Sequence, residues 1–157
     1  MNLKELRIAN DLTQKECALL LNVPLRTYIR YETEEIKEHT QKYEYLLEKL
    51  NKITTIDEEH GILKLDNIIS ICSDIFKKYE VEYCYLFGSY ARNNASPTSD
   101  VDLFISLKIT GLDFFNLIEE LRENLHKKVD LLDTSQIEKN PTLALEILKD
   151  GIKIYHN

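Results

Sequence analysis

Apolar residues recur at helical spacing through the first third of the chain, then shift to alternating blocks of strand and helix. Leu3, Leu6 and Ile8 mark a first helix that ends near Asn10-Asp11. Thr13 with Glu16 three residues on is a capping box. It opens a helix from Gln14 to Leu21 that stops at Asn22, a residue tolerant of the left-handed conformation. Pro24 suits the opening turn of the next helix, Leu25 to about Glu32. After a more acidic stretch, Tyr43, Leu46, Leu47 and Leu50 form one stripe on a helix from about Thr40 to Lys52. The polar run from Thr54 to Gly61 is the predicted seam, dividing the chain into an all-α module at 1–56 and a second module at 61–157.

The second module opens with a helix from Leu65 to about Tyr79, carrying Ile68, Ile69, Ile71, Cys72, Ile75 and Phe76. Strands follow at Val81–Phe87 and Val101–Leu107, then an amphipathic helix at Leu112–Leu125 and a strand at Lys128–Leu132. Pro141 opens a last helix to about Lys149, stopped by Asp150-Gly151, and Ile152 to Tyr155 reads as a short edge strand. Alternation of strands with helices predicts an α/β layer on a mixed sheet.

One motif in this module carries chemistry. The strand Tyr83-Cys84-Tyr85-Leu86-Phe87 runs into Gly88-Ser89, and after a gap of ten residues comes Asp100-Val101-Asp102. Glycine permits a sharp turn and close approach of a phosphate. A short helix beginning at Ser89 would turn a hydroxyl and free N–H groups toward an anion. On a strand running from Asp100 to Ser106, Asp100 and Asp102 share a face, roughly 7 Å apart along it. Two hard oxygen ligands beside a phosphate site suit Mg²⁺. Arg92, one turn beyond Ser89, is placed either to contact phosphate or to make a surface salt bridge.

The spacing Gly-Ser-x10-Asp-x-Asp, with Leu86-Phe87-Gly88-Ser89-Tyr90-Ala91-Arg92 and Ser99-Asp100-Val101-Asp102-Leu103 around it, resembles the DNA polymerase β-type nucleotidyltransferases, in particular their minimal branch. The resemblance implies transfer of AMP from ATP with Mg²⁺. The phosphates would lie at Gly88 and Ser89, and the metals on Asp100, Asp102 and an acid of the next parallel strand, here Asp130 in Lys127-Lys128-Val129-Asp130-Leu131-Leu132-Asp133. Asp130 is also the expected base for the acceptor hydroxyl, whereas Asp133 reads as the start of a turn or helix. Asn93 departs from the family, which often has glycine after the arginine.

The text Leu12-Thr13-Gln14-Lys15-Glu16 and Leu21-Asn22-Val23-Pro24-Leu25-Arg26-Thr27-Tyr28-Ile29-Arg30-Tyr31-Glu32 is similar to XRE-type (Cro/λ-repressor-like) helix-turn-helix domains, with Asn22 where that family usually has glycine. The resemblance implies Arg26, Thr27 and Arg30 in the major groove, with Gln14 and Lys15 near phosphates. Tyr31 reads as a packing residue, and Tyr28 is left undecided. The fold class expected is therefore an all-α helix-turn-helix domain followed by an α/β nucleotidyltransferase domain with a mixed sheet.

Composition narrows the setting. The chain has 157 residues, 43% hydrophobic and 30% charged, with net charge −7, which argues against a general polyanion binder. Residues 1–32 hold 5 basic and 4 acidic residues, a weak footprint for DNA, so several subunits are expected to act together. Cys17, Cys72 and Cys84 lack C-x-x-C spacing and read as reduced, buried thiols of a cytoplasmic protein. No apolar run is long enough to span a membrane, and the start of the chain does not resemble a secretory leader.

No acceptor-binding domain is recognisable beside the motif, so the acceptor is expected from a partner. Minimal nucleotidyltransferases commonly act as antitoxins that attach AMP to a tyrosine of a HEPN-type ribonuclease toxin. Arg122-Glu123-Asn124-Leu125-His126 has too few residues between Arg and His to be a HEPN motif of this chain's own. The leading expectation is a Mg²⁺- and ATP-dependent antitoxin that modifies a cognate HEPN-like toxin and regulates its own operon by binding operator DNA, as a homo-oligomer and away from membranes. Two alternatives stand beside it: a non-catalytic repressor that neutralises its partner by binding, and a small-molecule nucleotidyltransferase completed by a partner subunit.

Overall fold

A computed structural model describes residues 1–34, 37, 39–106 and 111–157. The chain separates into two compact units, Met1–Thr55 and Ile56–Asn157.

The first unit is helical: α1 (Leu3–Ala9), α2 (Gln14–Leu21), α3 (Leu25–Thr33) and α4 (Gln41–Thr54). Its helix starts are written locally. Asn2 and Glu5 cap α1 reciprocally, Thr13 and Glu16 do the same for α2, and the Thr40 hydroxyl accepts from the Tyr43 N–H at α4. Three residues join α2 to α3. Asn22 turns the chain with φ 56° and ψ 49°, and Pro24 is the N-cap of α3. Leu3, Leu6, Cys17, Ala18, Leu21, Tyr28, Tyr43, Leu46 and Leu50 make the core. Tyr28, undecided from sequence, is fully buried there. Burial raises its phenol above the ordinary range, with the Cys17 thiol and the Glu32 carboxylate beside it.

One ion pair ties the ends of this core together. The Arg7 guanidinium donates from Nε and Nη2 to the two Glu32 oxygens at 2.8 and 2.9 Å, and the Gln14 amide donates to Glu32 Oε1 at 2.9 Å. The Glu32 side chain is 1% exposed. Burial alone would raise its pKa, but the Arg7 fork and the Gln14 amide outweigh it and hold the carboxyl below its usual range.

The second unit runs α5 (Leu65–Phe76), β1 (Tyr83–Phe87), α6 (Gly88–Ala91), β2 (Val101–Ile105), α7 (Leu112–Leu125), β3 (Val129–Leu132), α8 (Thr134–Lys139), α9 (Pro141–Asp150) and β4 (Ile152–His156). The sheet order is β3-β2-β1-β4, with β2 and β3 parallel and the other neighbours antiparallel, so the sheet is mixed. Ile68, Cys72, Ile75 and Phe76 of α5 and Leu117, Leu121 and Leu125 of α7 share a core with Val101, Leu103 and Ile105 of β2. Strand alternation sends Asp102 and Phe104 to the opposite face, where they are half-buried. The three cysteines are buried and free, and burial pushes the Cys72 thiol to about 12.

Several boundaries differ from the sequence reading. The strand expected from Asp100 begins at Val101, and that expected from Val81 begins at Tyr83. The helix expected to reach Tyr79 ends at Phe76, and Leu107 lies outside the described residues. The turn or helix expected to start at Asp133 is helix α8. Asp133 starts it as N-cap, accepting from the Ser135 and Gln136 N–H groups.

The ion pair sets a stability expectation. Glu32→Ala strands the half-buried Arg7 charge and should cost about 3 kcal/mol, the lower end for breaking a buried pair. Because the Glu32 pKa is lowered, the stabilisation is present near neutrality and lost as pH falls through that lowered value. Urea unfolding followed by far-ultraviolet circular dichroism should therefore separate variant from wild type near neutral pH and bring them together in acid.

Candidate active site

The site is assembled by strand register. On β1, Phe87 lies opposite Asp102 of β2, and Asp102 lies beside Asp130 of the parallel β3. Side chains at paired positions share a face, so Asp102 and Asp130 come together although 28 residues separate them. Asp100 stands just ahead of β2, exposed, and Asp130 is also exposed.

Asp102 is the constrained member. Burial raises its carboxyl first, the charges of Asp130 and Asp100 push it further, Arg92 opposes them and Glu146 adds to the push, so its pKa is raised to about 6. Sequence reasoning missed Glu146, which reaches this neighbourhood from α9 through the fold alone. Gly88 closes the other side. Its φ is +72°, and a Cβ there would sit 2.0 Å from Asp102 Oδ2. No side chain fits between the turn and the carboxylate, so glycine is required both for backbone conformation and for space.

The remaining motif residues are set around this contact. Ser89 is half-buried in α6, and Arg92 is the exposed C-cap of that helix, with its charge reaching Asp102. Asn93 has φ 56°. The departure from glycine is therefore a conservative one, since asparagine tolerates this left-handed conformation better than most residues.

A further residue was not read from sequence. Lys127, 1% exposed, donates its ammonium to the carbonyl oxygens of His60, at 3.0 Å, and of Pro97. Burial lowers its pKa. It pins the 93–99 loop to the start of β3, while the Val101 N–H donates to the Lys128 carbonyl at 2.9 Å. The only sequence signal was a lysine pair immediately ahead of an apolar strand.

Among the described residues no group of three or more His, Cys, Asp and Glu is arranged to hold a metal ion. The acids nevertheless suit Mg²⁺, which takes one or two carboxylates and completes its shell with substrate phosphates and water. Like charges crowded around a half-buried carboxylate are relieved by a divalent cation.

The polymerase beta nucleotidyltransferase family matches residues 67–157, which include β1, α6, β2 and β3. The chain belongs to that family. A curated relative from Methanocaldococcus jannaschii, named as a candidate protein adenylyltransferase, is 39% identical over 102 residues, covering 64% of this chain and 98% of the relative. A second so named from the same organism is 37% identical over 82 residues, covering 51% and 86%. Among solved structures, a toxin–antitoxin crystal structure with AMP-PNP matches at 21% identity and TM-score 0.48, over 60% of this chain and 75% of that one. A tri-AMPylated Shewanella oneidensis HEPN toxin in complex with MNT antitoxin matches at 23% and TM-score 0.40, over 59% and 69%.

The five residues proposed from sequence for DNA all lie in the first unit, outside the family match. Gln14 spends an amide hydrogen on Glu32. Lys15 and Arg26 are exposed, Thr27 is half-buried, and exposed Arg30 pairs with Glu34 at 3.3 Å. No described helix is long and apolar enough to cross a membrane.

The burial of Asp102, with the charge crowding around it, has a measurable sign. Its folded pKa of about 6 exceeds the ordinary 3.8, so ionisation costs stability as pH rises through that interval. Without Mg²⁺, Asp102→Asn should raise Tm at about pH 8, with the gain closing by about pH 4. A gain independent of pH would show that ionisation of the half-buried Asp102 is not its cause.

Proposed function

We propose that this nucleotidyltransferase is an antitoxin that transfers AMP from ATP to a hydroxyl of a cognate protein toxin of the HEPN type. The observation that carries the reading is the in-register pair Asp102 and Asp130 on parallel strands, closed by the Gly88 turn. The chain spans 98% of a relative named as a candidate protein adenylyltransferase, which supports a protein acceptor. The resemblance to minimal nucleotidyltransferases supports the toxin as that protein.

In the proposed reaction the triphosphate lies along Gly88 and Ser89, and Arg92 supplies positive charge beside it. Asp100 and Asp102, with Asp130, would hold Mg²⁺, which when bound neutralises charge developing on the phosphate. The Asp130 carboxylate takes the proton from the acceptor hydroxyl. The acceptor oxygen then bonds to the α-phosphorus, the bond to the bridging oxygen breaks, and pyrophosphate leaves.

The first unit is proposed as an XRE-type helix-turn-helix that autoregulates the operon. Its support is the three-residue link between α2 and α3 and the exposure of Arg26 and Arg30 on α3. A weakly charged surface of this kind is suited to binding as a homo-oligomer, where contacts add across two half-sites.

Incubating the protein with Mg²⁺, labelled ATP and the product of the neighbouring gene tests the enzymatic reading. Label should move to the partner. Asp130→Asn should slow transfer by about 10²-fold or more, and Asp100→Asn/Asp102→Asn should abolish it. Absence of transfer, or transfer indifferent to these acids, leaves the non-catalytic antitoxin as the better reading. Operator binding is a separate matter. A mobility shift at low salt should weaken by about 1–3 kcal/mol for each of Arg26→Ala and Arg30→Ala, and no shift at all would make the first unit a docking module.

A further inference from the structure

The face of the sheet that carries the acids does not end at them. Phe104 follows Asp102 on the same face of β2, one two-residue step or about 7 Å further on. Tyr85 is its register partner on β1, and Tyr83 precedes Tyr85 on that face. The three rings form a cluster with centroids 5.9, 6.3 and 6.5 Å apart. The Lys153 ammonium lies 5.5 and 5.8 Å from the Tyr83 and Tyr85 ring centres and helps to fix them. Opposite stands α9, whose Ala144, Ile147 and Leu148 complete a cavity of about 540 Å³. That volume is within the usual range for small-molecule sites. The same helix carries Glu146, whose charge reaches Asp102, so α9 borders both the acids and the cavity.

We propose that this cavity is the nucleobase subsite of the nucleotide held at Gly88 and the acids. The inference rests on the nucleotidyl-transfer reading and adds where the base goes. A base is tethered to its phosphates through one ribose, so it must settle close to the acids. Along the open face of the sheet that short reach leads onto Phe104 and Tyr85. Aromatic rings stack on any base, because every base has a π-face. No Asp, Glu, Asn or Gln is among the described residues lining the cavity. The polar groups near the base are the tyrosyl hydroxyls, the backbone and the Lys153 ammonium over the tyrosine rings. With no carboxylate or amide side chain among the described lining residues, recognition is chiefly by stacking and fit. The subsite therefore discriminates weakly among bases, with purines favoured for their larger stacking area.

Binding to the full-length protein in Mg²⁺ tests this, with ATP and inorganic tripolyphosphate as paired probes. Tripolyphosphate presents the same charged chain without a base. Tyr85→Leu and Phe104→Leu keep apolar bulk while removing the stacking face, and Ala144→Phe fills the cavity from the other wall. Each should weaken ATP roughly tenfold and leave tripolyphosphate within about twofold, while wild type binds ATP, GTP, CTP and UTP within about tenfold of one another. Variants that bind ATP as wild type does overturn the subsite, and if label transfer persists the transferase reading stands without it. Equal loss of both probes also overturns it, by locating the effect at the phosphates. A rise in KM for the acceptor protein alone assigns the cavity to the acceptor and overturns it as well. Wild-type protein that binds neither probe overturns the subsite and the transferase reading together.

Discussion

The contact between Gly88 and Asp102 is the constraint around which the second unit is built. Asp102 is pressed by the turn on one side, where even a methyl group would overlap its carboxylate. On the other it faces the charges of Asp130 and Asp100. Its backbone is held there, because its neighbours Val101 and Leu103 are fully buried in the core shared with α5 and α7. The repulsion is therefore held in place by the hydrophobic core, as expected where a fold keeps an unfavourable local arrangement for function. A cation bound there would turn the crowding from a cost into an attraction.

Lys127 answers a different need. The loop from Arg92 to Ser99 contains mostly small polar residues and has little apolar surface of its own. A buried ammonium bound to the Pro97 and His60 carbonyls restrains it from beneath. Such a group is costly to bury and is held by charge-assisted hydrogen bonds to carbonyl oxygens. The loop, the approach to α5 and the start of β3 are joined through this one side chain. The first unit uses an equivalent device in Arg7, Glu32 and Gln14, where one carboxylate satisfies donors from two other helices.

The two units thus present different surfaces. In the second, one sheet face is given to the core, and the other carries acids at one end and aromatic rings next to them. In the first, the helices converge on an apolar centre and leave the basic residues of α3 outside. A phosphate-directed chemistry and a weakly charged helical module are combined without sharing residues.

Much of this was written locally. The capping pairs Thr13 with Glu16 and Asn2 with Glu5, the left-handed Asn22, the start of α9 at Pro141 and the bounds of α7 depend on residues within a turn or two of one another. The spacing of Gly88-Ser89 and Asp100-x-Asp102 belongs to the same class, which is why the candidate site could be read from the chain. Other features came only with the tertiary structure: the raised pKa of Asp102, the approach of Glu146, the burial of Lys127, the use of Gln14 by Glu32, and the closing of the aromatic strip by α9. Each joins residues far apart in sequence, and a chain does not encode such pairs in any local pattern. They meet only when strand register and helix packing are settled. Sequence alone therefore determined which groups are available for phosphate chemistry, and the sheet decided which of them are brought together and at what electrostatic cost.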